Sequence, residues 1–135
     1  MENRELIKLA LGARENSYSP YSGFKVGAAL LTKSGKVYTG CNIENAAFGP
    51  TVCAERTAIF KAVSEGEREF EKIAIAGGKG EMPDSYAFPC GVCRQLMSEF
   101  CGPEFEIITA VSADDYVIKT LKEMLPDSFG PGNLK

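Results

Sequence analysis

Two short cysteine groups constrain this chain more than anything else in it. The first is Cys-Ala-Glu-Arg at 53–56, inside TVCAERTAIF, and the second is Pro-Cys-Gly-Val-Cys at 89–93. Each stands where a loop gives way to helical spacing. After the first come Ala54, Ala58, Ile59, Ala62 and Val63, and after the second a run to Phe100. Helix starts concentrate positive potential and free N–H donors, which lower thiol pKa values and stabilise thiolates. A fold that turns the two helix starts toward each other brings Cys53, Cys90 and Cys93 to one point. The chain contains no histidine, so a metal site of this kind has to be built from thiolates.

The rest of the chain supplies a frame for that meeting. Apolar residues Leu6, Ile7, Leu9, Ala10, Leu11 and Ala13 give Arg4 to Ala13 a helical face, ended by Asn16, Ser17 and Pro20. Lys25 to Thr32 is a short apolar run of the buried-strand type. Lys33, Ser34 and Gly35 then turn the chain into a second strand, Val37 to Cys41, as an antiparallel hairpin. The helix opened by Cys53 closes at Gly66, and Glu71 to Gly78 reads as a strand. A Gly/Pro loop leads to the helix from Cys90 to Phe100, stopped by Gly102 and Pro103. FEIITAV and YVIKT are two more strands, TLKEML is a short helix, and the tail PDSFGPGNLK reads as irregular. This alternation predicts an α/β three-layer sandwich, with a mixed five-stranded sheet and helices on both faces. No linker or repeat divides residues 1–135, so one domain is expected.

Composition narrows the function classes. A net charge of −3 argues against a nucleic-acid surface, which needs a basic face. No apolar run approaches the ~20 residues of a membrane span. The opening MENRELIKLALGARENS lacks the uninterrupted apolar centre of a signal peptide. A cytoplasmic location is therefore expected, where cysteines more often bind metal or do chemistry than form disulfides. Five cysteines cannot all pair.

A lone CxxC is ambiguous between a zinc half-site and a redox pair. Three thiolates suit Zn²⁺ and leave its fourth tetrahedral position for water. Glu55, two residues from Cys53, is placed to take a proton from such a water and pass it to substrate. A structural zinc module would need a fourth protein ligand, with Cys41 or Cys101 the candidates. A thiol oxidoreductase would form a reversible Cys90–Cys93 disulfide. Neither alternative explains Glu55.

Three cysteines with a glutamate that is not a ligand is one signature of the zinc deaminases. The sequence resembles the small, homotetrameric cytidine deaminases across nearly its whole length. The likeness is carried by SPYSGFKVGAAL at 19–30, GCNIENA at 40–46, TVCAERTA at 51–58 and PCGVCRQ at 89–95. Blasticidin-type deaminases share the zinc motif but lack the full CNIENA and CAERTA runs.

The resemblance implies a hydrolase of pyrimidine salvage, which deaminates cytidine and deoxycytidine with one Zn²⁺ per subunit. It implies Cys53, Cys90 and Cys93 as metal ligands and Glu55 as proton shuttle. Arg56 offsets the −1 charge of a zinc trithiolate, and Gln95 supports the zinc shell from behind. Phe24 packs along the nucleoside, while Asn42 and Glu44 hydrogen-bond the ribose. Backbone near Ala54 holds the cytosine ring, and Phe129 closes over a neighbouring subunit's site. On local sequence alone, Phe24 also reads as core, Asn42 as a turn residue and Arg56 as a solvated arginine. Phe48 departs from the tyrosine common in relatives, and Gly49-Pro50 makes its loop unusual. Cys41 and Cys101 read as small buried hydrophobes.

Overall fold

A computed structural model describes all residues, Met1 to Lys135. Helix α1 spans Asn3–Ala13 and runs into a 3-10 turn, Arg14–Asn16. Strands β1 (Lys25–Thr32) and β2 (Val37–Cys41) form the expected hairpin. Helix α2 (Ala54–Ser64), strand β3 (Phe70–Gly78), helix α3 (Gly91–Phe100), strands β4 (Glu106–Ser112) and β5 (Asp115–Thr120) and short helix α4 (Leu121–Met124) follow. A second 3-10 turn at Pro131–Asn133 gives local order to the tail that reads as irregular in sequence.

The five strands form one sheet in the order β2-β1-β3-β4-β5. Only β3 and β4 run parallel; the other three pairings are antiparallel, so the sheet is mixed. Parallel neighbours need a crossover, and α3 supplies it. The β4–β5 hairpin is tight, with Ser112 pairing Asp115, which starts β5 one residue earlier than its apolar residues indicate.

The uniform apolarity of β1 is explained by burial on both faces. Ala28 and Leu30 face a core shared with Ala58 and Ile59 of α2 and Met97 of α3. Ala29 and Leu31 face the opposite core, with Leu6, Ile7 and Ala10 of α1. Helix α1 thus covers one face while α2 and α3 cover the other, which gives the three layers. Placing α2 and α3 on the same face is what lets their N-termini meet. Helix α4 is closed by a capping box, in which Thr120 accepts from the Glu123 amide and Glu123 accepts from the Thr120 amide.

Candidate active site

Cys53 is the N-cap of α2 and Cys90 the N-cap of α3, with Cys93 in the first turn of α3. Cys53 Sγ lies 3.7 Å from Cys90 Sγ, which lies 3.6 Å from Cys93 Sγ. A tetrahedral zinc with Zn–S bonds of about 2.3 Å sets its sulfurs about 3.8 Å apart. Two of the three sulfur separations therefore already match a zinc trithiolate, and all three sulfurs lie within 4.8 Å of one another. Cys41 and Cys101 lie outside this cluster, so the fourth ligand of a structural zinc module is not supplied. A Cys90–Cys93 redox pair would leave Cys53 at metal-ligand distance without a purpose.

The electrostatics favour thiolate at this point. The Cys53 thiol is brought down to about 5, chiefly by the hydrogen bond from Cys93 and also by Arg56, against the opposing effect of burial. Cys93 is pushed up, first by its neighbour Cys53 and then by burial. Arg56 Nη2 donates to Cys53 Sγ at 3.5 Å and to the Thr51 carbonyl at 3.3 Å. Its Nε is buried without a partner. A buried, unpaired guanidinium donor calls for negative charge nearby, which the thiolates of a bound metal provide.

Glu55 sits on the first turn of α2, only 4% exposed. Burial raises its carboxyl to about 7, reinforced by the charge of Cys53 and partly offset by Arg56. A carboxyl poised there exchanges a proton readily near neutral pH.

Beside these groups lies a cavity of about 180 Å³ lined by Phe24, Val26, Ile75, Ala87 and Phe88. Asn42, Cys53, Ala54, Glu55 and Cys90 also border it. Ala54 is fully buried at the start of α2, and Phe24 is half-buried. Larger hollows near Arg14 and near Leu121 hold no comparable donor set.

Asn42 and Glu44 both hold the segment that carries Phe24. Asn42 Oδ1 accepts from the Ser17 hydroxyl at 2.5 Å and the Val26 amide at 2.9 Å, while Nδ2 donates to the Phe24 carbonyl at 2.8 Å. One N–H of Asn42 is left for a ligand. Glu44 accepts from the amides of Tyr21 and Ser22 and from the Ser22 hydroxyl. Those bonds, the hydroxyl's first, hold its carboxyl below the usual range, so Glu44 is a carboxylate at neutral pH, and it lies outside the lining of the cavity.

Gln95 departs from expectation. Its Nε2 donates to the Phe129 carbonyl at 2.8 Å and the Ser98 hydroxyl at 3.1 Å, and to no cysteine. The side chain lies on the exposed face of α3, opposite Cys93, so it holds the tail rather than the sulfurs. Phe129 is 58% exposed and Phe48 is 89% exposed.

Sequence reasoning missed Val26, Ile75, Ala87 and Phe88. Val26 and Ile75 carry only a core-strand signal. Ala87 and Phe88 precede the PCGVC motif, and that adjacency was the one available clue.

The family described as "Cytidine and deoxycytidylate deaminase zinc-binding region" matches residues 1–109. The chain is 48% identical to a cytidine deaminase of Halalkalibacterium halodurans, over 96% of this chain and 95% of that protein. It is 45% identical to one of Sporosarcina psychrophila, over 99% and 96%. Among solved structures, a cytidine deaminase from Burkholderia pseudomallei superposes with a TM-score of 0.88 at 45% identity, covering 96% of this chain and 100% of that one.

Proposed function

The chain belongs to the cytidine and deoxycytidylate deaminase family, and from that premise we propose that it hydrolyses cytidine and deoxycytidine to uridine and deoxyuridine, releasing ammonia. The observation that carries this reading is the buried Glu55 carboxyl beside three sulfurs at metal spacing, on the wall of a small apolar cavity.

Cys53, Cys90 and Cys93 would hold one Zn²⁺ per chain, and the ion would supply Lewis-acid activation of a water at neutral pH. Arg56 neutralises part of the sulfur charge through its bond to Cys53. Glu55 takes a proton from water and delivers it to the ring nitrogen next to the amino-bearing carbon. Oxygen adds to that carbon, and Glu55 then carries the remaining proton of the added hydroxyl to the amine, which leaves as ammonia as the C–N bond breaks and C=O forms, so one carboxyl serves both transfers. Its raised pKa suits a group that must accept and donate in one cycle.

The cavity volume of about 180 Å³ falls below the roughly 300 Å³ of pockets that enclose a drug-sized ligand. That supports a single-ring base inside, with the sugar at the mouth. Phe24 supplies an aromatic wall, and backbone at Ala54 faces the ring. The free N–H of Asn42, which borders the cavity, is a donor and the carboxylate of Glu44 an acceptor suited to a ribose hydroxyl, chiefly the 3′-hydroxyl. Exposed Phe129 and Phe48 fit a homotetramer in which the tail of one copy covers the site of another. Gln95 serves that arrangement by anchoring the tail at Phe129. The enzyme acts as a single domain in cytoplasmic pyrimidine salvage, without a nucleic-acid or membrane partner. No helix is long and apolar enough to cross a membrane.

Absorbance of cytidine, followed as the amino group leaves, tests the activity. Deoxycytidine, cytosine and blasticidin S assayed alongside define the substrate class. Glu55→Gln should retain zinc and fold while turnover drops by about 10³-fold or more, within the range of a positioned acid-base group. Retained turnover in that variant would overturn the assignment.

A further inference from the structure

Arg14 is only 4% exposed, yet no carboxylate pairs with it; the ion pair in the structure joins Arg4 and Asp114. Its guanidinium instead spends four hydrogen bonds on backbone carbonyls. Nε donates to Lys25 at 3.0 Å, Nη1 to Glu81 at 2.9 Å, and Nη2 to Gly78 and Gly80 at 2.8 Å each. Lys25 and Gly78 are register partners at the end of the β1–β3 ladder. One side chain thus ties the start of β1, next to Phe24, to the loop that leaves β3.

That loop, residues 79–90, returns to the pocket. A Cβ on Gly78 would stand 2.9 Å from Pro83 Cα, so the loop folds directly back over the strand end. A Cβ on Gly77 would stand 3.0 Å from Ala87 Cβ, Phe24 Cε1 and Val26 Cγ2 alike. These three residues line the cavity, and they converge where Gly77 has no side chain. The far end of the loop is held by the Tyr86 hydroxyl, which donates to Asp115 Oδ1 at 2.5 Å on β5.

We infer that Arg14 is a positioning residue for the nucleoside pocket, fixing the loop that carries Ala87 against the Phe24 wall and so setting the gap into which the base fits. The inference rests on the deaminase reading above. Lysine keeps the charge but concentrates its donors on one atom, and it cannot span four carbonyls in fork geometry. Glu55 lies on α2 and Cys53 caps it, and none of the hydrogen bonds of Arg14 reaches that helix, so binding should suffer more than chemistry. A displacement of the order of 1 Å in a substrate-positioning wall is costly.

Arg14→Lys should raise the KM for cytidine about tenfold with kcat within about twofold. Cytidine binding to Arg14→Lys/Glu55→Gln, measured by calorimetry against Glu55→Gln alone, should weaken by the same factor with no turnover involved. Zinc should remain at one per chain. Thr120→Ala, which removes a helix cap away from the pocket, should lower the melting temperature and leave KM alone. Gly77→Ala is the companion variant, because it forces the same walls apart with Arg14 intact, and it should reproduce the KM rise. Unchanged cytidine binding in either Arg14→Lys or Gly77→Ala would overturn the inference and leave Arg14 a structural staple. A wild-type protein inert toward cytidine would instead sink the deaminase reading itself.

Discussion

Gly40 is the point at which packing should translate most directly into chemistry. It lies in β2, opposite Ala28 of β1, directly beneath α2. A Cβ built there would stand 2.6 Å from the Ala58 amide nitrogen, 2.7 Å from the Ala54 carbonyl oxygen and 2.9 Å from Thr57 Cβ. Two of these are backbone atoms of α2, so no rotamer change relieves them. Restoring an ordinary separation of about 3.5 Å requires α2 to back away from the sheet by about 1 Å. Overpacking of this kind costs about 1–3 kcal/mol. The same helix carries Cys53 at its cap and Glu55 in its first turn, while Cys90 and Cys93 stay on α3. A shift of about 1 Å between the two is enough to cost about a hundredfold in rate. Gly40→Ala should therefore lower the urea midpoint and weaken zinc retention, and deamination of cytidine should fall by that factor. An unchanged midpoint would refute the close-packing argument. A lowered midpoint with full activity would refute the link between α2 position and catalysis.

Two further outcomes test the electrostatics. Arg56→Ala removes the one guanidinium that donates to Cys53, so zinc affinity should fall about 10- to 100-fold in competition with a chromogenic chelator. After chelation, alkylation mapped by mass spectrometry at pH 6 should mark Cys53 first, because a thiol held at about 5 is already mostly thiolate there. Cys101, pushed up to about 12 by burial, should stay unlabelled at that pH, and its labelling should rise only as the solution becomes strongly alkaline. Equal labelling of the two would contradict the assigned environments.

The three-cysteine cluster and the carboxyl beside it were legible in the chain because their signals are local. A cysteine before a helical apolar pattern marks an N-cap position, and Glu55 and Arg56 follow within the same turn. The strands were legible for the same reason, since periodicity and turn residues act over a few positions. Gln95 shows where such reasoning ends: its spacing after PCGVC says that it lies on α3, and only packing shows that its amide meets the tail at Phe129. Asn42 and Glu44 likewise read in sequence as ribose ligands, with a turn residue as the local alternative for Asn42. Folding engages both in holding residues 17–26 before any ligand arrives.

What the amino-acid order determined by itself was the chemistry available: three thiols at two helix starts, one carboxylate and one guanidinium beside them, and no histidine. What tertiary structure decided was distance. The sheet order β2-β1-β3-β4-β5 puts α2 and α3 on one face, and that brings Cys53 to 3.7 Å from Cys90 across 37 residues of chain. It also brings Ile75, Ala87 and Val26 to one cavity, and Arg14 to the loop that closes it. Contacts between residues far apart in the chain depend on strand register and on which face each crossover takes, and no short window of sequence contains either.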